Sequence, residues 1–313
     1  MIVVGGEALV DLLVGPDGGL DWRPGGGPYN TARTIGRLGS PVAFLGRLSS
    51  DAFGRRLGER LAGDRVRLVV SEPSAAPTTL AVAEVDRDGQ AAYRFYLTGT
   101  AAADLGPAAV PAALDPPPEA IHVGTLGLVM EPVAMAMERL VDRAPPEAIV
   151  MIDPNARRAA IPDQAAWRAR IARILDRADV VKVSRDDLAV LDPRTAPEPA
   201  ARRLARPGRV ILLTAGGEPT LLLAGGSERS VAGPAVTVVD TVGAGDAFGG
   251  AFLAWWGRRG LDRAALGDAA LAGQATTAAA IVAAMTCERP GASPPTLAEV
   301  EARWPRWTEA PTV

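Results

Sequence analysis

Apolar residues along this chain come in short continuous runs and not in strict alternation. MIVVGG, PVAFLG, AIVMID, ADVVKVS, RVILLTAGG and AVTVVD each set several aliphatic residues in a row, the pattern of strands covered on both faces. Between them, stretches such as AAWRARIARILDRAD and EPAARRLARPG have the composition and length of helices. Strand and helix therefore alternate, and the chain predicts an α/β fold, a doubly wound, mostly parallel sheet flanked by helices.

Two segments, 12–23 and 68–100, break this rhythm. In the second, TTLAVAEVDRDGQAAYRFYL reads as two half-buried strands around the turn Asp86-Arg87-Asp88-Gly89. Together they predict a small β lid, an antiparallel flap inserted near the start of a single domain spanning 1–313. Such a flap would cover the crevice at the carboxyl ends of the parallel strands, where ligands bind in this architecture. The Pro-rich connector 111–119 reads as a loop, and the tail after Trp304 is expected on the surface.

The stretch Val236–Trp256 carries the chemistry. It reads as a strand over Val236–Val239, a turn from Asp240 to Gly245, and a helix from about Asp246. Gly243 and Gly245 permit positive φ and close backbone approach, so successive amides can converge on an anion at the helix start. The helix AFGGAFLAWW is apolar nearly all round and is expected to be buried. From spacing alone, Asp246 serves equally well as a helix cap contributing about 1 kcal/mol. A dinucleotide turn fits poorly, because the spacing is GxGxxxG and a carboxylate would repel a resting pyrophosphate. An acid beside an anion hole makes chemical sense when it accepts a hydroxyl proton as that oxygen attacks a phosphoryl group.

Composition narrows the classes. A net charge of −3 with interspersed signs argues against nucleic acid, and no apolar run reaches the roughly 18 residues of a membrane span. One cysteine, Cys287, excludes an internal disulfide and fits a reducing cytoplasm, and one histidine, His122, leaves no Cys/His zinc site. Lysine occurs once, at Lys182, and asparagine twice, at Asn30 and Asn155. His122 and Thr125 read as packing and turn residues. There is no GxxxxGK[ST] phosphate loop.

DTVGAGD at 240–246 resembles the C-terminal signature of the ribokinase-like (PfkB) carbohydrate kinases. The resemblance extends over GEALVDL at 6–12, PGGGPYNTARTIGRLG at 24–39, DPNAR at 153–157, VKVSRDDL at 181–188 and CERPGASPPTLAEV at 287–300. Within the family the chain is most similar to fructokinase-type members. The resemblance implies Asp246 as general base, with Gly243, Ala244 and Gly245 as anion hole. Asp11, Gly26, Gly27, Asn30 and Arg157 would bind the sugar, with Asn155 near phosphate or metal water; in the flap, Phe95 and Tyr96 are expected either to close over the sugar or to pack as an aromatic core. ATP would lie against Lys182, Ser184, Thr214, Gly216, Gly243 and Gly245. Magnesium accompanies ATP, with Asp187 acting through water where the family has glutamate. A monovalent cation such as potassium would sit at Asp240 and Thr241, near Gly291-Ala292. The chain departs from the family at Ser184, where asparagine is usual, and at Pro219, where the nucleotide loop ends in glycine.

The expected activity is ATP-dependent phosphorylation of a primary hydroxyl, with fructose first and 2-keto-3-deoxygluconate, ribose or a nucleoside next. An idle sugar- or nucleotide-binding regulator of the same fold, and a Rossmann dehydrogenase, are the readings from other classes. A homodimer through the lid is expected, because a small sheet exposed on two sides is marginal alone.

Overall fold

The computed structural model describes residues 1–85 and 91–307. The strands are β1 (Ile2–Gly5), β2 (Leu9–Val14), β3 (Leu20–Gly25), β4 (Val42–Leu45), β5 (Val66–Leu68), β6 (Leu80–Val85) and β7 (Ala91–Tyr96). They continue as β8 (Ala120–Gly124), β9 (Ile149–Asp153), β10 (Val180–Ser184), β11 (Val210–Ala215), β12 (Glu218–Ala224) and β13 (Ser227–Val231). The larger sheet is nine-stranded in the order β13-β12-β11-β10-β9-β8-β1-β4-β5. It is parallel from β11 to β5 and ends in the antiparallel hairpin β11-β12-β13. β1, β4, β8 and β9 are buried throughout, as their continuous apolar runs require.

Helices α1 (Gly27–Arg37), α2 (Ala52–Gly63), α3 (Val133–Asp142), α4 (Gln164–Arg177), α5 (Arg185–Leu191) and α6 (Pro197–Leu204) are followed by α7 (Ala244–Arg258), α8 (Ala269–Cys287) and α9 (Leu297–Arg303). Two apolar cores form, one including α1, α7 and α8, the other including α3 and α4. Most starts are capped by side chains: Asp51 on α2, Asp163 on α4, Asp268 on α8, and capping boxes Ser184/Asp187 on α5 and Thr296/Glu299 on α9. α7, like α1, α3 and α6, has no side-chain cap: its N-cap is Gly243, at φ 77°, and the Ala244 amide donates to Thr241 O at 3.2 Å.

The smaller sheet has the order β3-β2-β6-β7. It is mixed and not the expected antiparallel flap, since β2 runs parallel to β6. Its limits also shift: β2 already begins at Leu9, while Leu68 ends β5 at the edge of the larger sheet. The turn expected at Asp86–Gly89 lies outside the described residues. Trp22 anchors this sheet on α2 through an edge-on contact with Phe53, 5.2 Å between centroids, and a cation–π contact from Arg56.

Two other expectations are corrected. AVTVVD forms no strand: the chain has left the sheet after β13, and this run joins neither sheet. Its Val239 and Asp240 amides both donate to Cys287 O at the end of α8, and Val238 and Val239 are exposed. The tail does not simply lie on the surface: Trp307 is buried and its Nε1 donates to Ala278 O at 3.2 Å. By length and composition α8 could cross a bilayer, yet more than half of its 18-residue window is buried and it packs on α7, as a core helix does.

α1 and α7 touch where Gly250 faces Thr31 and Thr34. A Cβ at Gly250 would lie 2.9 Å from Thr31 O and 2.9 Å from Thr34 Cβ. Gly250→Val should therefore lower stability by about 1–3 kcal/mol through overpacking, read by chemical denaturation.

Candidate active site

The close α1–α7 seam brings Asn30 to Asp246. Asp246 is buried, yet it does not cap its own helix: its Oδ2 accepts from Asn30 Nδ2 at 2.9 Å, and its main-chain O from Thr31 Oγ1 at 3.3 Å. Asn30 Oδ1 is buried without a partner. Burial pushes the Asp246 carboxyl up to about 6, helped by Asp153 and opposed by Asn30, Lys182 and Arg157. The result is an acid with a raised pKa at the start of a helix that no side chain caps.

The glycines of PGGGP run beside this carboxylate. A Cβ at Gly27 would lie 2.2 Å from Thr125 Oγ1 and 3.2 Å from Asp246 Oδ1, so only glycine fits. Gly26 has φ 104° and faces the Glu7 carbonyl. The anchor is Glu7, which the sequence reading passed over. Fully buried, it accepts Gly27 N–H on Oε1 (3.0 Å) and Gly127 N–H on Oε2 (2.7 Å), joining the start of α1 to the turn after β8. Burial drives its carboxyl up to about 8 against these amide bonds. A lone acid inside the apolar run MIVVGGEALV was the available signal.

Asp11 lies on β2, in the smaller sheet, opposite Arg23 of β3. A Cβ at Gly25 would lie 2.1 Å from Asp11 Oδ2, so the carboxylate lies across the glycine loop. Burial raises it to about 6 against the charges of Arg157 and Arg23. Arg157 is exposed on the loop after β9; Asn155 there, at φ 38°, donates to Thr125 Oγ1 at 3.3 Å. Phe95 is half-buried on β7, stacked with Tyr93 at 6.4 Å and packed on the apolar core.

On the other side of Asp246, Lys182 Nζ donates to Asp153 Oδ2 at 2.6 Å, and both are buried. Burial opposes the Lys182 charge, but Asp153 outweighs it and the ammonium is held above its usual range. Lys182 lies beneath the turn, 3.2 Å from where a Gly245 Cβ would be. Asp153 Oδ1 has no partner. His122, beside Gly249, is fully buried with both ring nitrogens unpartnered, and burial and Lys182 lower it to about 3, so it is neutral.

Asp187 is committed elsewhere. Its Oδ2 accepts from Ser184 N–H (2.7 Å) and Oγ–H (2.8 Å), and its Oδ1 from Ala156 N–H (2.6 Å). It locks α5 to the loop after β9, which leaves little of it for a metal-bound water, while Ser184 serves as helix cap. Among the described residues no group of three or more His, Cys, Asp or Glu could hold a metal ion. Thr214, next to last in β11, donates from Oγ1 to Val183 O, and Gly216, at φ 58°, turns the β11–β12 hairpin in open space. Pro219 falls inside β12, so the loop is a tight hairpin and not an extended nucleotide loop.

Asp240 and Thr241 open the α7 turn. Asp240 Oδ2 accepts from Arg23 Nη1 and Gly291 N–H, both at 2.8 Å, and Oδ1 from Val242 N–H at 3.0 Å. Gly243, at φ 77°, packs against Ala292.

The site thus gathers at the carboxyl ends of β1, β8, β9, β10 and β11. Two cavities of about 540 and 470 Å³ lie at the opposite, amino ends of the strands, beside Arg209 and beside Ile2, Ala120 and Ile149.

Residues 17–297 match the model of the pfkB family carbohydrate kinases, and the chain belongs to that family. It is an ATP-dependent sugar kinase with a ribokinase-like fold. A fructokinase of Rhizobium leguminosarum bv. trifolii is 35% identical over 260 residues, 81% of this chain and 79% of that protein. Among solved structures, Xylella fastidiosa fructokinase with bound ATP superposes with TM-score 0.85 at 28% identity over 98% of this chain and 99% of the other. Aminoimidazole riboside kinase of Salmonella enterica, with its riboside and an ATP analogue, gives 0.78 at 27% over 93% and 94%. A double mutant of Vibrio cholerae O395 fructokinase, bound to fructose, ADP and potassium, gives 0.76 at 26% over 93% and 93%.

Glu7 yields a pH test of its own. Its folded value is raised from 4.5 to about 8, so the stabilising protonation is complete below about pH 4.5 and is lost as pH rises through about 8. Melting temperatures measured from pH 5 to 9 should fall more steeply for the native chain than for Glu7→Gln. Equal slopes would mean Glu7 does not titrate in this window.

Proposed function

We propose that the chain transfers the γ-phosphoryl group of ATP to a primary hydroxyl of a small sugar, with fructose as the preferred acceptor. The observation that carries the mechanism is a buried Asp246 carboxylate left uncapped and uncapping, held by Asn30 at an open helix start. Asp246 accepts the hydroxyl proton while that oxygen bonds to the γ-phosphorus and the bond to the β-phosphate oxygen breaks, releasing ADP. Amides of Gly243 and Gly245 with the α7 dipole receive the negative charge of the group in transit, and Lys182 supports it from beneath, while the Ala244 amide of the expected anion hole is bonded to Thr241 O. Asn30 Oδ1, unpartnered, is an acceptor for a sugar hydroxyl, and Asp11 and Arg157 offer acceptors and donors across the glycine loop. Thr214 and Gly216 border the nucleotide side, where exposed Val238, Val239 and Val242 supply apolar surface.

Magnesium, carried by the nucleotide, would supply charge neutralisation on the phosphates, and the unpartnered Asp153 Oδ1 is a carboxylate oxygen that could face it. The smaller sheet acts as the lid that excludes water, and Phe95 closes over the sugar. Exposed Leu20, Tyr93 and Tyr96 on that sheet support a homodimer through it, which light scattering at micromolar concentration checks. The lone Cys287 suits a reducing cytoplasm.

Fructose rests on likeness to the fructokinases above. Ribose, 2-keto-3-deoxygluconate and a nucleoside belong in the same panel, the last because the Salmonella relative takes a riboside. ADP release measured with ATP across this panel should be greatest with fructose; binding of sugar without ADP would instead mark an idle regulator. Asp246→Asn should lower kcat on the best sugar by on the order of a hundredfold or more. Because the base works ionised and its value is raised to about 6, the native rate should fall as pH drops through about 6. An acid limb that persists unchanged in the Asn variant would remove Asp246 as its source.

A further inference from the structure

Arg23 reaches from β3 of the smaller sheet into the loops that carry the phosphate turn. Its guanidinium lies on Asp240 at 2.8 Å, and a Cβ at Gly291 would lie 3.3 Å from its Cδ. One side chain therefore joins the smaller sheet, the Asp240–Gly245 turn and the loop that follows α8. Burial works to raise the Asp240 carboxyl, yet the amides of Val242 and Gly291 and the charge of Arg23 outweigh it, and the net shift is downward.

The other oxygens here are also engaged. Cys287 O accepts the amides of Val239 and Asp240, Thr241 O that of Ala244, and Gly291 O that of Ser293. Ala292 O accepts Arg33 Nη1 at 3.2 Å, and Arg33 is itself buried on Asp64 at 2.7 Å. Two guanidinium groups thus enter this cluster from opposite sides, Arg23 from the smaller sheet and Arg33 from α1. The acids facing them are Asp240, Asp64 and Asp21, the last an exposed second partner of Arg23 at 3.4 Å. Cys287, part-buried, is the remaining titratable group beside Asp240. A metal cation at Asp240 would meet a fixed positive charge within a few ångströms, on an acid that Arg23 already pairs.

We propose that the Arg23 guanidinium is the resident cation of this cluster, occupying the role that the family resemblance gives to a monovalent metal ion at Asp240 and Thr241, so that the phosphate turn is organised without potassium. Arg23 is then a positioning residue. It acts through Asp240 on the turn and couples that turn to the smaller sheet. For turnover this rests on the kinase reading; for turn organisation it stands apart from it.

The test uses the full chain in potassium, sodium or choline chloride at equal ionic strength, because the pair is partly exposed and salt screens it. Melting with ADP needs no sugar and no turnover; kcat and KM for MgATP form the second readout. The native chain should give the same melting temperature in the three salts and rates within about twofold of one another. Arg23→Gln should gain a saturable, potassium-specific rise in melting temperature or kcat, or lose kcat in every salt while Arg23→Lys retains it. A saturable potassium response of the native chain overturns the proposal. So does an Arg23→Gln variant indistinguishable from the native chain in every salt. If no sugar is phosphorylated while the melting results follow the expected pattern, the kinase reading falls and the Arg23 assignment stands.

Discussion

The structure depends on keeping one carboxylate out of water without spending it. Burying an acid is costly unless donors or positive potential meet it. Asp246 obtains one donor, Asn30, and the positive end of α7, and no other side-chain bond among the described residues. That economy leaves the group with a raised pKa, at a helix start that no side chain caps. Both conditions follow from the helix seam: Gly250 lets α1 and α7 approach until the asparagine of one reaches the acid of the other.

Around this pair the protein arranges charge in layers. Lys182 and Asp153 neutralise each other beneath the turn, and a neutral His122 fills the space beside them, so the floor of the site carries little net field. Glu7 sits further in, raised by burial until it is largely protonated near neutrality, and it holds two loop amides in place of a second exposed negative charge. Among the described residues, the buried side-chain oxygens left without a partner, on Asn30 and Asp153, both belong to neighbours of Asp246.

The alternation of strands and helices was legible because burial on two faces leaves unbroken apolar runs, and the site's main acid was legible because glycines cluster before a buried helix. AVTVVD misled because strand propensity says nothing about whether a run joins a sheet. The Leu68 boundary misled because a three-residue edge strand leaves too short a signature. Glu7, Asp153 and Arg23 acquire their meaning from partners 20 to 217 positions away. No local pattern encodes such pairings. Asp187 was recognised as an acid near the site, but its use as a capping-box residue depended on the direction its side chain takes.

The margins of the larger sheet have a separate consequence. One side ends in β13, whose Ser-Glu-Arg-Ser run is exposed and carries charge, and the other in the three residues of β5. Short or charged rims give an incoming strand little to zip onto. The nine-stranded sheet is thus finished at both margins, and a concentrated solution of the folded chain has no template there for growing intermolecular β-structure.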